Sequence, residues 1–194
     1  MAIDHLSFGT RDLAATRAFY EGQLGFPVLI HERMLVSEGG HVDHMFFDCG
    51  SGCALAFMER HDTPGVAVDY DTGINAGLGV PAGTFHFALR CASSKELEAR
   101  HAELRSRGAV VGELIDLPPY RSFFFDDPVN GLRLEYTMRV GTTTEADRDP
   151  GRRQFPAGLE LFRSASKPSP RQVRRAMQER RGRLVACDRP APPA

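Results

Sequence analysis

Period-two alternation of apolar and polar residues runs through most of the first 140 positions, and helical spacing interrupts it twice. Residues 3–8 alternate and predict a strand. Thr10 or Asp12 can cap a following helix, in which Leu13, Thr16, Phe19, Tyr20 and Leu24 recur at helical spacing and Gly25 is the stop. Residues 26–36, 42–49 and 53–58 read as three strands, parted by turns at Ser37-Glu38-Gly39-Gly40 and Gly50-Ser51-Gly52. The pattern lapses over 60–83, which is rich in Gly, Asp and Pro; a segment this long inside a compact domain is usually functional or disordered. It returns with a strand at 84–89. A second helix follows, capped by Ser93 or Ser94, with Leu97, His101, Leu104 and Arg105 on one side and Gly108 as its stop. Strands at 109–115, 120–125 and 132–138 complete the pattern.

The order β-α-β-β-β therefore occurs twice, an internal repeat of about 80 residues. Laid residue on residue, Asp4-His5-Leu6-Ser7-Phe8 falls over Phe85-His86-Phe87-Ala88-Leu89, and Gly25 over Gly108. Gly52-Cys53-Ala54-Leu55-Ala56 falls over Gly131-Leu132-Arg133-Leu134-Glu135. The expected fold is α+β: two β-α-β-β-β units forming curled mixed sheets around a shared metal cavity. The units span about 2–59 and 84–139 of a domain at 1–140, joined by the loop 60–83. Residues 141–194 form an extension. Its first part reads as linker, and Ser169-Pro170-Arg171-Gln172 opens a short basic helix with a thin apolar stripe.

Composition changes this picture little. At 194 residues, 42% hydrophobic and 25% charged, the chain suits one soluble domain with an appendage. No apolar run approaches the ~20 residues of a membrane span. The N-terminus lacks a basic stretch followed by an apolar one, so the expected location is cytoplasmic. The four cysteines are scattered, and the Cys49/Cys53 pair has no second pair to complete a zinc set. Charge is uneven: from Gly141 onward 12 Lys/Arg face 6 Asp/Glu, whereas the first 140 residues carry 12 against 19. An acidic body argues against nucleic acid as a partner.

Chemistry enters through the repeat. His5 and His86 occupy the same place in the first strands of the two units, and their more apolar neighbours suit packing on helices. Glu135 stands in the middle of an apolar last strand, where a carboxylate needs water or a cationic partner. Two imidazoles and a carboxylate with coordination positions left open make the facial triad of non-haem Fe²⁺ sites, and also suit Mn²⁺ or Zn²⁺.

These features resemble the vicinal oxygen chelate superfamily, which holds glyoxalase I, methylmalonyl-CoA epimerase, fosfomycin-modifying thiol transferases, bleomycin-resistance proteins and type I extradiol dioxygenases. The carriers are Ile3-Asp4-His5-Leu6-Ser7-Phe8, Asp12-Leu13 through Phe19-Tyr20, Leu24-Gly25-Phe26, Phe85-His86-Phe87, and Phe125-Asp126-Asp127-Pro128 leading to Leu134-Glu135. The resemblance covers residues 2–139 and implies metal ligands at His5, His86 and Glu135. Glyoxalases supply a fourth ligand, a Glu where this chain has Ala56, which disfavours that reaction. Ring-cleaving dioxygenases carry an acid–base His where this chain has Cys53 or Gly52, and a Tyr where it has Phe124; His61, His44 and Tyr120 are the groups available to replace them.

The reading is an extradiol-type dioxygenase with Fe²⁺, acting on an aromatic or apolar vicinal diol. His61 is the first choice for proton transfer because its ordinary pKa, near 6.5, suits neutral pH, and Tyr120 is the second. The alternatives are a lyase, isomerase or thiol transferase with Mn²⁺ or Zn²⁺, or a binding protein without catalysis. The expected partners are a small-molecule substrate and a second copy of the chain in a homodimer, with neither nucleic acid nor membrane.

Overall fold

The computed structural model of the chain describes residues 3–143 and 145–148. Their framework is two four-stranded mixed sheets. Sheet A contains β1 (His5–Thr10), β2 (Val28–Leu35), β3 (His41–Asp48) and β4 (Ala54–His61) in the order β1-β4-β3-β2. Sheet B repeats the order as β5-β8-β7-β6 with β5 (Phe87–Arg90), β6 (Ile115–Leu117), β7 (Tyr120–Asp126) and β8 (Arg133–Arg139). In each sheet the first strand lies parallel to the fourth and the other pairings are antiparallel. The repeat holds to the residue. Ser7 pairs with Ala56 and Ala88 with Glu135, while Phe46 pairs with Ala56 and Phe124 with Glu135.

The helices form where the caps place them. Asp12 Oδ1 accepts from Ala15 N at 2.8 Å and starts α1 (Leu13–Arg17), which widens over Ala18–Gln23 into longer backbone turns with Phe19 and Tyr20 both buried. Helix α2 (Ile74–Leu78) is a single turn inside the segment that joins the units. At α3 (Ser94–Ser106), Ser93 Oγ accepts from Glu96 N while Glu96 reaches back to Ala92 N. Gly25 and Gly108 both leave their helices at positive φ, 74° and 80°, a conformation side chains disfavour.

Several boundaries move for local reasons. Strand β5 begins at Phe87 rather than at 84, because the Asn75 side chain takes both backbone groups of Phe85: Oδ1 accepts from its N–H at 2.9 Å and Nδ2 donates to its C=O at 2.7 Å. The strand expected at 109–115 shrinks to an isolated bridge, Val111 to Phe125, followed by β6. Strand β4 runs on to His61, so the connecting segment starts two residues later. Glu145–Arg148 make one tight turn, and the basic helix expected after Ser169 lies outside the described residues.

One apolar core joins the two units on the helix side of both sheets. It contains Leu13, Phe19, Tyr20, Leu24, Phe47, Leu55 and Phe57 from the first, and Leu97, Leu104, Phe123, Phe125, Leu134 and Tyr136 from the second. Phe8 and Phe87 meet at 4.6 Å where β1 and β5 approach. A buried polar knot reinforces the junction. Asp127 Oδ2 accepts from Tyr20 Oη at 3.0 Å and from Asn130 Nδ2 at 2.8 Å; Oδ1 accepts from the N–H groups of Val129 and Asn130. Burial, and then the neighbouring Asp127 carboxylate, push the Tyr20 phenol well above its ordinary range. Tyr20→Phe leaves the carboxylate one donor short in a site closed to water, so urea denaturation should show a loss of about 1.5–3 kcal/mol in unfolding free energy, with the fold retained.

Candidate functional site

Alternation sorts each sheet into two faces. On sheet A the helix-side face carries Leu55 and Phe57, and the opposite, open face carries His5, Ser7, Ala54, Ala56, His44 and Phe46. On sheet B the open face carries Ala88, Glu135, Thr137, Ser122 and Phe124, with His86 one residue ahead of β5.

His86 and Glu135 meet on that face. Nε2 of His86 lies 3.2 Å from Oε2 of Glu135. The other ring nitrogen, Nδ1, is 2.9 Å from the carbonyl oxygen of Gly83; because a carbonyl only accepts, Nδ1 donates there and the ring is held with Nε2 toward the carboxylate. Phe124 packs edge-on against His86 at 5.6 Å, and the Arg133 guanidinium sits over the same phenyl ring while pairing with Asp126 at 2.9 Å. Glu135 is only 8% exposed, so its charge is largely cut off from water. The carboxylate beside it raises the pKa of His86 above its ordinary value, against a smaller effect of burial.

This pair fits a metal ion. Two ligands at ~2.1 Å and a right angle stand about 3 Å apart, close to the observed separation. A backbone carbonyl fixing the far nitrogen is the usual support for a ligating imidazole. His5 is placed differently. Its ring packs edge-on to Phe46 at 5.3 Å, its Nδ1 approaches Asp4 Oδ1 at 2.8 Å, and half of the side chain is exposed. Among the described residues, His5 does not join His86 and Glu135 in a set whose ligand atoms all lie within 4.8 Å; the set that does is His41, Asp43 and His61.

The two residues expected to handle protons lie elsewhere. His61 ends β4 on the helix-side face, stacked on His41 at 4.6 Å. Tyr120 shares the face of Phe124 but stands four residues along β7, about 13 Å away, with its hydroxyl accepting from Arg139. His44 lies on the open face of sheet A and is 8% exposed; its Nδ1 is 3.3 Å from Glu32 and its Nε2 is buried without a hydrogen-bond partner. The segment after β4 spans both units. Tyr70 Oη donates to Thr10 O at 3.1 Å and seats on Gly9, and Thr72 Oγ1 donates to Asn130 O at 3.0 Å. Beneath it is a cavity of about 230 Å³, lined by residues that include Arg11, Glu59, Arg60, Asp62 and Tyr70.

Sequence reasoning reached His86, Glu135 and His44. It missed the Gly83 carbonyl, which is backbone, and the grouping of His61 with His41 and Asp43, which becomes visible only through the strand register.

Comparison with known proteins gives the same fold. The family model of the Glyoxalase/Bleomycin resistance protein/Dioxygenase superfamily matches residues 2–136. A glyoxylase/bleomycin resistance protein/dioxygenase domain from Frankia sp. EAN1pec is similar at 19% identity and a TM-score of 0.52, over 72% of this chain and 98% of that one. A glyoxalase/bleomycin resistance protein/dioxygenase from Nocardioides is similar at 24% identity and a TM-score of 0.51, over 79% and 90%. Among curated proteins none matches.

The raised His86 value yields a prediction for the metal-free protein. A histidine with a raised pKa lends stability that is complete below the unfolded value near 6.5 and is lost as pH rises through the folded value. Glu135→Gln removes the first cause of the shift, so an NMR titration should find His86 titrating at lower pH in that variant than in the parent.

Proposed function

Since the chain belongs to the Glyoxalase/Bleomycin resistance protein/Dioxygenase superfamily, we propose that it is a metal-dependent enzyme of that group acting on a small molecule with two adjacent oxygens. The observation that carries the reading is the His86–Glu135 pair: a ring oriented by the Gly83 carbonyl, its free nitrogen 3.2 Å from a buried carboxylate. His86, Glu135 and His5 are the proposed ligands. When bound, the divalent metal supplies a Lewis acid that takes the two oxygens and stabilises the anion that forms on them. Phe124 lies against the pair and favours an aromatic or otherwise apolar substrate. His44, buried and with a free nitrogen, is better placed than His61 to hold or pass a proton on the open face of sheet A.

The third ligand asks for a second copy of the chain. His5 stays apart from the pair within one chain. Its open face also carries Ile30, 46% exposed, and Met34, 37% exposed, beside Phe46 and His44. An apolar surface of this kind on a sheet is normally covered. A homodimer that lays the open face of sheet A over the His86–Glu135 face of its partner covers it and delivers His5.

Fe²⁺ and ring-opening dioxygenation of a vicinal diol are the first reading, and lyase, isomerase or thiol-transfer chemistry with Mn²⁺ or Zn²⁺ is the second. Metal analysis of protein purified without chelator, followed by oxygen uptake on catechols, separates them: Fe²⁺ with uptake supports the first, and Mn²⁺ or Zn²⁺ without uptake the second. The dimer is tested by mixing. His5→Ala and Glu135→Gln should each weaken metal binding by about 10²-fold or more. Co-refolding equal amounts of the two variants should then restore about a quarter of the parent occupancy at this site, because about half of the dimers are mixed and each of those holds one intact site of two. A mixture no better than its components rules out ligands shared between chains.

A further inference from the structure

We propose that His41, Asp43 and His61 form a second metal site, for a divalent cation of the Zn²⁺ type, on the helix-side face of sheet A where β3 begins and β4 ends. The donors stand on a hydrogen-bonded ladder. His41 is the direct cross-strand partner of His61, and Asp43 lies two residues along β3, on the same face, opposite Glu59. Their ligand atoms all lie within 4.8 Å of one another. Asp43 Oδ2 is 3.4 Å from His61 Nε2 and 3.9 Å from His41 Nε2. Tetrahedral ligands at ~2.0–2.1 Å stand about 3.3 Å apart. The His61–Asp43 edge already has that length, and His41 needs to close by about half an ångström.

The unliganded arrangement is hard to account for in other terms. The His41 and His61 rings are stacked nearly parallel, 16° apart, and both turn Nε2 toward the same carboxylate oxygen. Nε2 of His61 is buried and has no hydrogen-bond partner. A buried nitrogen left unsatisfied calls for a further group, and a cation among three donors is the group that satisfies all of them. The surroundings match. Arg33 holds the Asp43 carboxylate through two hydrogen bonds, at 2.6 and 2.9 Å, which sets its plane as supporting groups do for ligating carboxylates. Glu59, 3.9 Å from His61 and accepting from Leu13 N, adds a second carboxylate beside the imidazoles.

Two imidazoles and one carboxylate suit Zn²⁺, Co²⁺ or Ni²⁺ and do not suit Ca²⁺ or Mg²⁺, which take oxygen. The half-buried residues leave a fourth position for water. The site differs from the His86–Glu135 pair in sheet and in face. A bound ion would tie the start of β3 to the end of β4, at the point where the chain leaves the sheet for the segment that seats Tyr70.

The test uses the full chain without an affinity tag, in a His86→Ala/Glu135→Gln background that silences the other pair. Co²⁺ serves as optical probe and Zn²⁺ as competitor. One equivalent of Co²⁺ should bind with the intense visible bands of a tetrahedral centre, and Zn²⁺ should displace it. His61→Gln and Asp43→Asn, made separately and each checked for fold by circular dichroism, should weaken binding by about 10²-fold. Two variants on different strands keep the question answerable if one of them misfolds. The proposal is overturned if the background protein binds no Co²⁺, or if both substitutions leave its affinity and spectrum unchanged. The parent protein then separates this result from the fate of the other site: two equivalents of metal support both, and one equivalent that survives in the background supports this site alone.

Discussion

Asp127 sets the placement of everything around it. Its carboxylate is fully buried and takes two backbone N–H groups, an amide N–H and a phenol. A buried ionised group is tolerated only when its acceptor positions are filled. Here the donors come from both units: Tyr20 from the first helix and Asn130 from the turn that opens β8, with Asn130 also donating to Thr16. Satisfying one carboxylate therefore fixes α1 against the entrance to β8. Glu135 stands three residues into that strand, so the core of the fold and the position of the candidate ligand are set by the same turn.

The repeat supplies symmetry, and the substitutions within it supply direction. Ser7–Ala56 and Ala88–Glu135 are equivalent pairs in identical strand orders, yet one site holds a methyl and the other a carboxylate. Sheet B thus carries a histidine and an acid in contact, whereas the open face of sheet A carries His5 and His44 on either side of Phe46 with the acid displaced to Glu32. Each face carries its polar groups in apolar surroundings.

Much of this was legible in the chain. The period-two runs, the capping residues Asp12 and Ser93, and the stops Gly25 and Gly108 are local signals, and local sterics and hydrogen bonding honoured them. The equivalence of Ala56 and Glu135 followed from the repeat, because a slip of one residue would have turned each apolar face outward. What escaped was non-local. Nothing near residue 84 announces that the Asn75 amide will hold Phe85 and delay β5. The strand expected at 42–49 leaves His41 outside it and the Gly-, Asp- and Pro-rich stretch from residue 60 reads as loop, so the meeting of His41 and Asp43 with His61 needs the register of the β3–β4 hairpin.

Burial separates the two donor sets in kind. At His86 and Glu135 the acid is sealed and a phenyl ring lies against the histidine, so charge developing there would be weakly screened, the condition under which electrostatic stabilisation is strongest. At His41, Asp43 and His61 all three residues keep partial contact with water, and Arg33 already counters the carboxylate. A cation there would be better screened and poorly placed to drive chemistry, but well placed to hold two strand ends together. The two sets thus differ in what surrounds them: a largely buried carboxylate and one oriented imidazole on the open face of sheet B in one case, a ladder edge with a guanidinium on the helix-side face of sheet A in the other.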